Sequence, residues 1–168
     1  MSPRISVRPF RAADMERILA IERASFGADA YERNLFAELF HNCGDLFLVA
    51  VTGGHICGYM VTCIGARPVS GRTTGTAEVV SIAVNPASRG KGAASSLMTN
   101  TLRRLRLRDV GRLTLMVKVT NEGARRFYEK RGFRRVRRVP GYYEDGSDGL
   151  LMKKELGKES EVRSRKSE

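Results

Sequence analysis

The sequence predicts an α/β fold whose elements run β-αα-βββ-α-β-α-ββ, and three observations carry that expectation. A β-branched stretch, Thr76 to Val84, ends at Asn85-Pro86 and passes through the basic, glycine-rich Arg89-Gly-Lys-Gly92 straight into an amphipathic helix. Such an order places free backbone N–H groups and a helix N-terminus at the carboxyl end of a strand, a means of binding phosphate. Two apolar runs, Leu46–Val51 and Ile56–Ile64, flank Thr52-Gly-Gly-His55 and read as a hairpin ahead of that loop. A hairpin there breaks the regular βαβ alternation of a dinucleotide-binding domain. Gly92 is followed by Ala93-Ala94 rather than Lys-Ser/Thr, so the P-loop pattern is absent too.

The remaining elements follow in order. Ile5–Pro9 is a short strand. Residues 12–25 form a helix, with Asp14 at its start and Met15, Ile18, Leu19 and Ile21 at helical spacing. Phe26-Gly-Ala-Asp-Ala30 breaks it, and Tyr31–Phe40 is a second helix carrying Leu35, Phe36 and Leu39. Arg67–Gly75 is a polar loop. The helix after the glycine loop runs from about Ala93 to Asp109, with Ala94, Leu97, Met98, Leu102 and Leu105 inward and Gly111 as its C-terminal cap. Leu113–Val119 is a strand. Asn121 caps a helix whose inner face is Ala124, Phe127, Tyr128 and Arg131. Phe133–Val139 and Leu150–Lys154 are closing strands around the Gly141–Gly149 loop.

At 168 residues the chain reads as one domain, residues 1–155, with a charged, disordered tail at 156–168. No apolar run reaches the ~20 residues of a membrane span, and the first residues lack a secretory signal. Cys43, Cys57 and Cys63 form no CxxC pair, and their odd number argues against a disulfide framework. His41 and His55 are too scattered for a metal site. A reduced, metal-free cytoplasmic protein is expected. Residues 103–138 hold fourteen Lys and Arg against three acids, a net +11 of the chain's +12. That block suits nearby nucleic acid or acidic partners. Without interleaved aromatics it equally reads as a solvated basic surface.

About 30 residues after the glycine loop come Asn121 and Ala124-Arg-Arg-Phe-Tyr-Glu-Lys-Arg-Gly-Phe133. With the Ser81-Ile-Ala-Val84 strand and its loop, these residues closely resemble the GNAT acetyltransferases over nearly all of 4–155. The resemblance is closest to the RimI-like and archaeal N-terminal (Nα) acetyltransferases. Glu78 to Val84, Asn121 with Tyr128 seven residues on, and the Tyr142-Tyr143 to Met152 ending carry it. It implies a mixed, mostly antiparallel sheet flanked by helices and splayed between the strands at 76–84 and 112–119.

It also implies acetyl-CoA as donor and no metal. The pyrophosphate would lie on the backbone of Arg89, Gly90, Lys91, Gly92, Ala93, Ala94 and Ser95, with Asn121 also at the cofactor. The pantetheine would run along Ile82, Ala83 and Val84, whose N–H groups would meet the oxyanion. Tyr128 matches the tyrosine that protonates the departing thiolate. RimI-like proteins commonly carry a glutamate in a Leu-x-Leu-Glu-Val-Arg strand, but here that strand reads Leu113-Thr-Leu-Met-Val-Lys118, with Met116 in its place. Glu78 is then the substitute base, expected among apolar neighbours that raise its pKa, or water serves instead. The acceptor would be held by Phe26, Gly27, Tyr31, Tyr142 and Tyr143.

The resulting expectation is acetylation of protein N-termini, ribosomal proteins among them, by a monomer or dimer. The alternatives are acetylation of a lysine or small amine, and a basic CoA- or RNA-binding module without turnover.

Overall fold

A computed structural model describes residues 4–65 and 75–157. Among these, seven strands and four α-helices follow the expected order. They are β1 (Ile5–Pro9), α1 (Met15–Phe26), α2 (Arg33–Cys43), β2 (Phe47–Thr52), β3 (His55–Ile64), β4 (Gly75–Val84), α3 (Ala93–Arg106), β5 (Val110–Lys118), α4 (Glu122–Lys130), β6 (Arg134–Val139) and β7 (Gly149–Glu155). The loop expected at Arg67–Gly75 lies outside the described residues except for Gly75, which opens β4, and the tail expected to be disordered lies outside them apart from residues 156 and 157. Two compact units emerge, and β4 belongs to both, changing from one to the other at Val79/Val80.

The first unit holds residues up to Cys63 together with Val80–Arg104, and its strands are ordered β1-β2-β3-β4. β1, β2 and β3 pair antiparallel. Phe47, Leu48, Val49 and Ala50 of β2 are all fully buried, as expected of a strand covered on both faces. Phe47, Val49, Tyr59 and Val61 gather with Ile18 and Phe36 in one core, where the Phe36 and Tyr59 rings meet edge to face at 5.6 Å. By strand alternation Met60 points to the opposite face, and there the Thr101 hydroxyl of α3 meets its sulfur at 3.4 Å. Gly58 has a steric reason: a Cβ there would lie 2.9 Å from the Ala83 carbonyl oxygen, so β3 and β4 approach closely at that point.

The second unit holds Ile64–Val79 and the chain from Leu105, with strands ordered β4-β5-β7-β6. β4 and β5 are parallel, and their register ends at Glu78↔Thr114. β7 lies antiparallel to both β5 and β6. Leu113, Leu115 and Val117 alternate inward along β5, and Leu150 and Met152 do so along β7.

Several sequence expectations are corrected. Gly111 does not cap α3; it lies within β5, and the turn out of the helix is made by Asp109 at φ 55°. Asp tolerates that left-handed conformation better than most side chains, so no glycine is required. Asp14 does not cap α1 with its side chain. Instead it accepts from the Arg11 amide at 2.8 Å across a short 3-10 turn and pairs with Arg8 at 2.7 Å. The cysteines are not all reduced: Cys43 at the end of α2 and Cys63 on β3 form a disulfide, Cα–Cα 4.9 Å, while Cys57 stays free and buried. Cysteine parity carries no information about which two thiols the fold brings together.

Candidate active site

The glycine loop is assembled by the end of β4. The Asn85 amide bonds the Cys57 carbonyl at 2.7 Å, Pro86–Ser88 make one 3-10 turn, and α3 opens at Ala93. Gly90 and Gly92 stand at φ 78° and 91°, a region that disfavours any side chain. A Cβ at either position would project into open space. Arg89 and Lys91 are exposed, and the Arg89 guanidinium reaches back to the Val84 carbonyl at 3.4 Å. The first backbone bond of the helix runs from the Ser96 amide to the Gly92 carbonyl at 3.0 Å, so the amides of Gly92, Ala93 and Ala94 precede the helical ladder. An open cradle of amides with two cations fits a pyrophosphate. Ahead of it, the half-buried Ile82 and Val84 and the buried Ala83 lie beyond the last β4 residue registered with β5.

In the second unit, Tyr128 is 7% exposed on α4, with the Phe127 and Phe133 rings edge to face at 5.5 and 5.6 Å. Burial pushes its phenol up to about 12. Asn121 caps α4 by accepting from the Ala124 amide at 3.1 Å, so its side-chain oxygen already has a structural task. Glu78 is exposed on β4, and the apolar enclosure expected of it is absent. Met116 is half-buried, and its sulfur lies 2.7 Å from where a Cβ on Gly149 would stand. The Tyr142 Cβ lies 3.1 Å from the same point, so Gly149 seats both side chains.

Each segment expected to hold an acceptor has its own scaffold. In the first unit Gly27, φ 54°, ends α1 by donating to the Arg23 carbonyl, and a 3-10 turn leads on to Tyr31. Phe26 and Tyr31 are 41% and 39% exposed. In the second unit the 140–149 loop is bonded to itself. Tyr143 donates to the Ser147 carbonyl at 3.1 Å, and Asp148 accepts from the Gly141 amide at 2.9 Å and from Arg138 at 2.6 Å. Those bonds hold the Asp148 carboxyl below its ordinary range. Asp145 is held well below it by the Ser147 hydroxyl and amide and by Lys118. Tyr142 is left 49% exposed, edge-on to Tyr143 at 5.0 Å.

Sequence reasoning missed Glu22. It is 1% exposed on α1, just before the helix's last turn, its Oε1 accepts from the Tyr31 amide at 3.0 Å, and its Oε2 accepts from the Tyr59 hydroxyl. Tyr59 in turn meets the Ser81 hydroxyl of β4 at 3.0 Å. Burial pushes the Glu22 carboxyl up to about 7, and among the described residues no cation pairs with it. The sequence signal was its position four residues after Ile18 and next to Ile21, an acid inside the apolar stripe.

The basic block is spread over the end of α3, β5, α4, β6 and the turns between them. Arg135 pairs with Glu129 at 3.1 Å and Arg138 with Asp148, while Arg134 and Arg137 are exposed on β6. Among the described residues no group of three His, Cys, Asp or Glu could hold a metal, and no helix is long and apolar enough to cross a membrane.

The acetyltransferase (GNAT) family model matches residues 13–133. The chain belongs to the GNAT acetyltransferase family. It is 30% identical over 156 residues to an N-alpha-acetyltransferase of Saccharolobus solfataricus, covering 90% of this chain and 93% of that one. It is 29% identical over 153 residues to a candidate ribosomal protein bS18-alanine N-acetyltransferase of Bacillus subtilis, covering 90% and 96%. The solved structure of Ard1 from Thermoplasma volcanium superposes with a TM-score of 0.84 at 27% identity, over 92% of this chain and 99% of that one. The expected GNAT fold, a mixed sheet flanked by helices, is thereby established, and the GNAT member is an N-acetyltransferase whose homologues support acetyl transfer to protein N-termini.

Proposed function

We propose that this GNAT enzyme transfers the acetyl group of acetyl-CoA to the N-terminal α-amino group of proteins, ribosomal proteins among them. The observation that carries the reading is the amide cradle of Gly90–Ala94, with two glycines at positive φ, following a stretch of β4 that lies beyond its register with β5. Within one stretch of chain it offers donors for a pyrophosphate and strand backbone, Ile82–Val84, for an extended arm. The name of the Bacillus subtilis relative supports a ribosomal acceptor, and the archaeal relative's name supports the α-amino group.

When bound, acetyl-CoA supplies an activated thioester. The new N–C bond forms as the C–S bond breaks, and one proton must leave the amine. An α-amino group titrates near 8, so about a tenth is already neutral at pH 7, and a modest base suffices. Glu78, alone or through water, takes that proton. Exposure suits a carboxylate that relays to solvent. Tyr128 serves the departing thiolate. A phenol near 12 against an ordinary thiol near 8.5 makes complete proton transfer uphill by about 5 kcal/mol in the free protein. Tyr128 therefore acts chiefly by donating a hydrogen bond, remaining protonated at working pH. Phe26, Gly27 and Tyr31, with Tyr142 and Tyr143, receive the first residues of the acceptor. Asn121 contributes to cofactor binding through its amide nitrogen, since its oxygen caps α4.

One observation favours a second reading, a CoA-binding module without turnover: Met116, packed against Gly149, stands where RimI-like relatives carry a carboxylate, and its side chain cannot accept a proton. Thiol release from acetyl-CoA, measured with peptides differing in first residue and bearing free or blocked N-termini, decides between them. Turnover confined to free N-termini is expected. Turnover on blocked, lysine-containing peptides would move the acceptor to a side chain, and none with any peptide would favour the binding module.

A further inference from the structure

We propose that Glu22 is a positioning residue for the acceptor, fixing the Gly27–Tyr31 turn through the Tyr31 amide and tying it to β4 through Tyr59 and Ser81. The inference rests on the reading above, in which that turn meets the acceptor peptide.

A carboxyl buried with no cation beside it among the described residues is a poor choice for stability alone. Its desolvation opposes folding, and an apolar side chain of similar size would fill the space without that cost. What Glu22 supplies instead is direction. Within the turn, Gly27 donates to the Arg23 carbonyl and Ala30 to the Gly27 carbonyl at 3.2 Å. The Tyr31 amide is satisfied by Glu22 Oε1 at 3.0 Å, which links the far end of the turn to the helix that begins it. Phe26 and Tyr31, the two exposed aromatic side chains of this segment, are thus held at a fixed separation.

The second oxygen reaches further. Glu22 Oε2 takes the fully buried Tyr59 hydroxyl, which meets Ser81, the residue immediately before Ile82–Val84. One carboxyl therefore sets the register of the acceptor turn against the strand backbone assigned to the donor. All four residues belong to the first compact unit. A buried network with every member satisfied fixes one geometry where an apolar contact would permit several.

The test compares wild type with Glu22→Leu, Glu22→Gln and Tyr59→Phe. It measures peptide KM, acetyl-CoA KM and kcat, with hydrogen exchange of the Tyr31 amide as an independent readout. Glu22→Leu keeps the volume and removes the acceptor. We expect Tyr31 exchange to quicken and peptide KM to rise, each by about tenfold, the scale of one lost charge-assisted bond, with acetyl-CoA KM within about twofold of wild type. Glu22→Gln retains an oxygen for the Tyr31 amide and should return both quantities to within about threefold. Tyr59→Phe keeps the ring in the core and should raise peptide KM by about threefold, and this variant decides the matter if Glu22→Leu does not fold. Unchanged peptide KM in both Glu22→Leu and Tyr59→Phe, or equal increases in the two KM values, would overturn the positioning role alone. A wild-type protein inactive on every free N-terminus would overturn the acetyl-transfer reading, and this inference with it.

Discussion

The buried Glu22 carboxyl makes stability depend on pH in a way that a single substitution can isolate. Its ordinary value of 4.5 is pushed up to about 7 by burial, so the folded protein holds this proton more tightly than the unfolded chain. For such a group the stabilising contribution is complete below about pH 4.5 and is lost as pH rises through about 7. The gap corresponds to about 3 kcal/mol, spent above pH 7 on keeping an ionised carboxylate in a buried site where the Tyr31 amide and the Tyr59 and Ser81 hydroxyls offset only part of its lost hydration. Glu22→Gln cannot ionise and leaves every other titrating group in place. Urea unfolding of both proteins at half-unit steps from pH 4.5 to 8.5 should show the variant gaining on wild type by about 3 kcal/mol across that range, with most of the change between pH 5 and 7.5. The absolute offset between the proteins reflects the exchanged amide and is not part of the prediction. Stability curves that remain parallel over the whole range would refute the reasoning, because the proton would then be bound equally in both states.

Reducing the Cys43–Cys63 disulfide, which closes a 20-residue separation, should cost about 3 kcal/mol and lower Tm by roughly 6–12 °C, as read from melts with and without reductant alongside a thiol count. Gly92→Ala places a side chain at φ 91° and should weaken acetyl-CoA binding at least about tenfold by calorimetry while the melting temperature changes little, the strain being confined to an exposed loop. Tyr128→Phe keeps the aromatic packing with Phe127 and Phe133 and should lower kcat by about a hundredfold with acetyl-CoA affinity retained; full activity would remove Tyr128 from the chemistry. Paired Arg134→Ala and Arg137→Ala substitutions should flatten the salt dependence of any RNA binding by about two phosphate contacts without altering acetyl transfer to a short peptide.

Which features of this chain can be read locally follows from the range of the forces that make them. β1 is bounded at Ile5–Pro9 as its alternation implies, and the loop from Asn85 to Gly92 is legible because Pro86 fixes φ locally while Gly90 and Gly92 adopt the positive φ that side chains disfavour. Asn121 as the cap of α4 and Tyr128 as its buried member follow from helical spacing alone. The sequence by itself thus determined the order of elements, the glycine loop between β4 and α3 and the resemblance to the GNAT enzymes. Only the tertiary structure decided the rest. Glu78 shares its strand with apolar residues and yet is exposed, because burial depends on what covers a strand and not on its own alternation. Cys43 and Cys63 pair because α2 and β3 bring two chain positions to a Cα distance of 4.9 Å, a separation no spacing rule contains. Glu22 joins Tyr31, nine residues on, to Tyr59, 37 residues on, and a carboxyl's hydration is lost only when both segments close over it. Desolvation and long-range hydrogen bonding belong to the assembled fold, and they settle which ionisable groups of this enzyme are exposed, capped or buried.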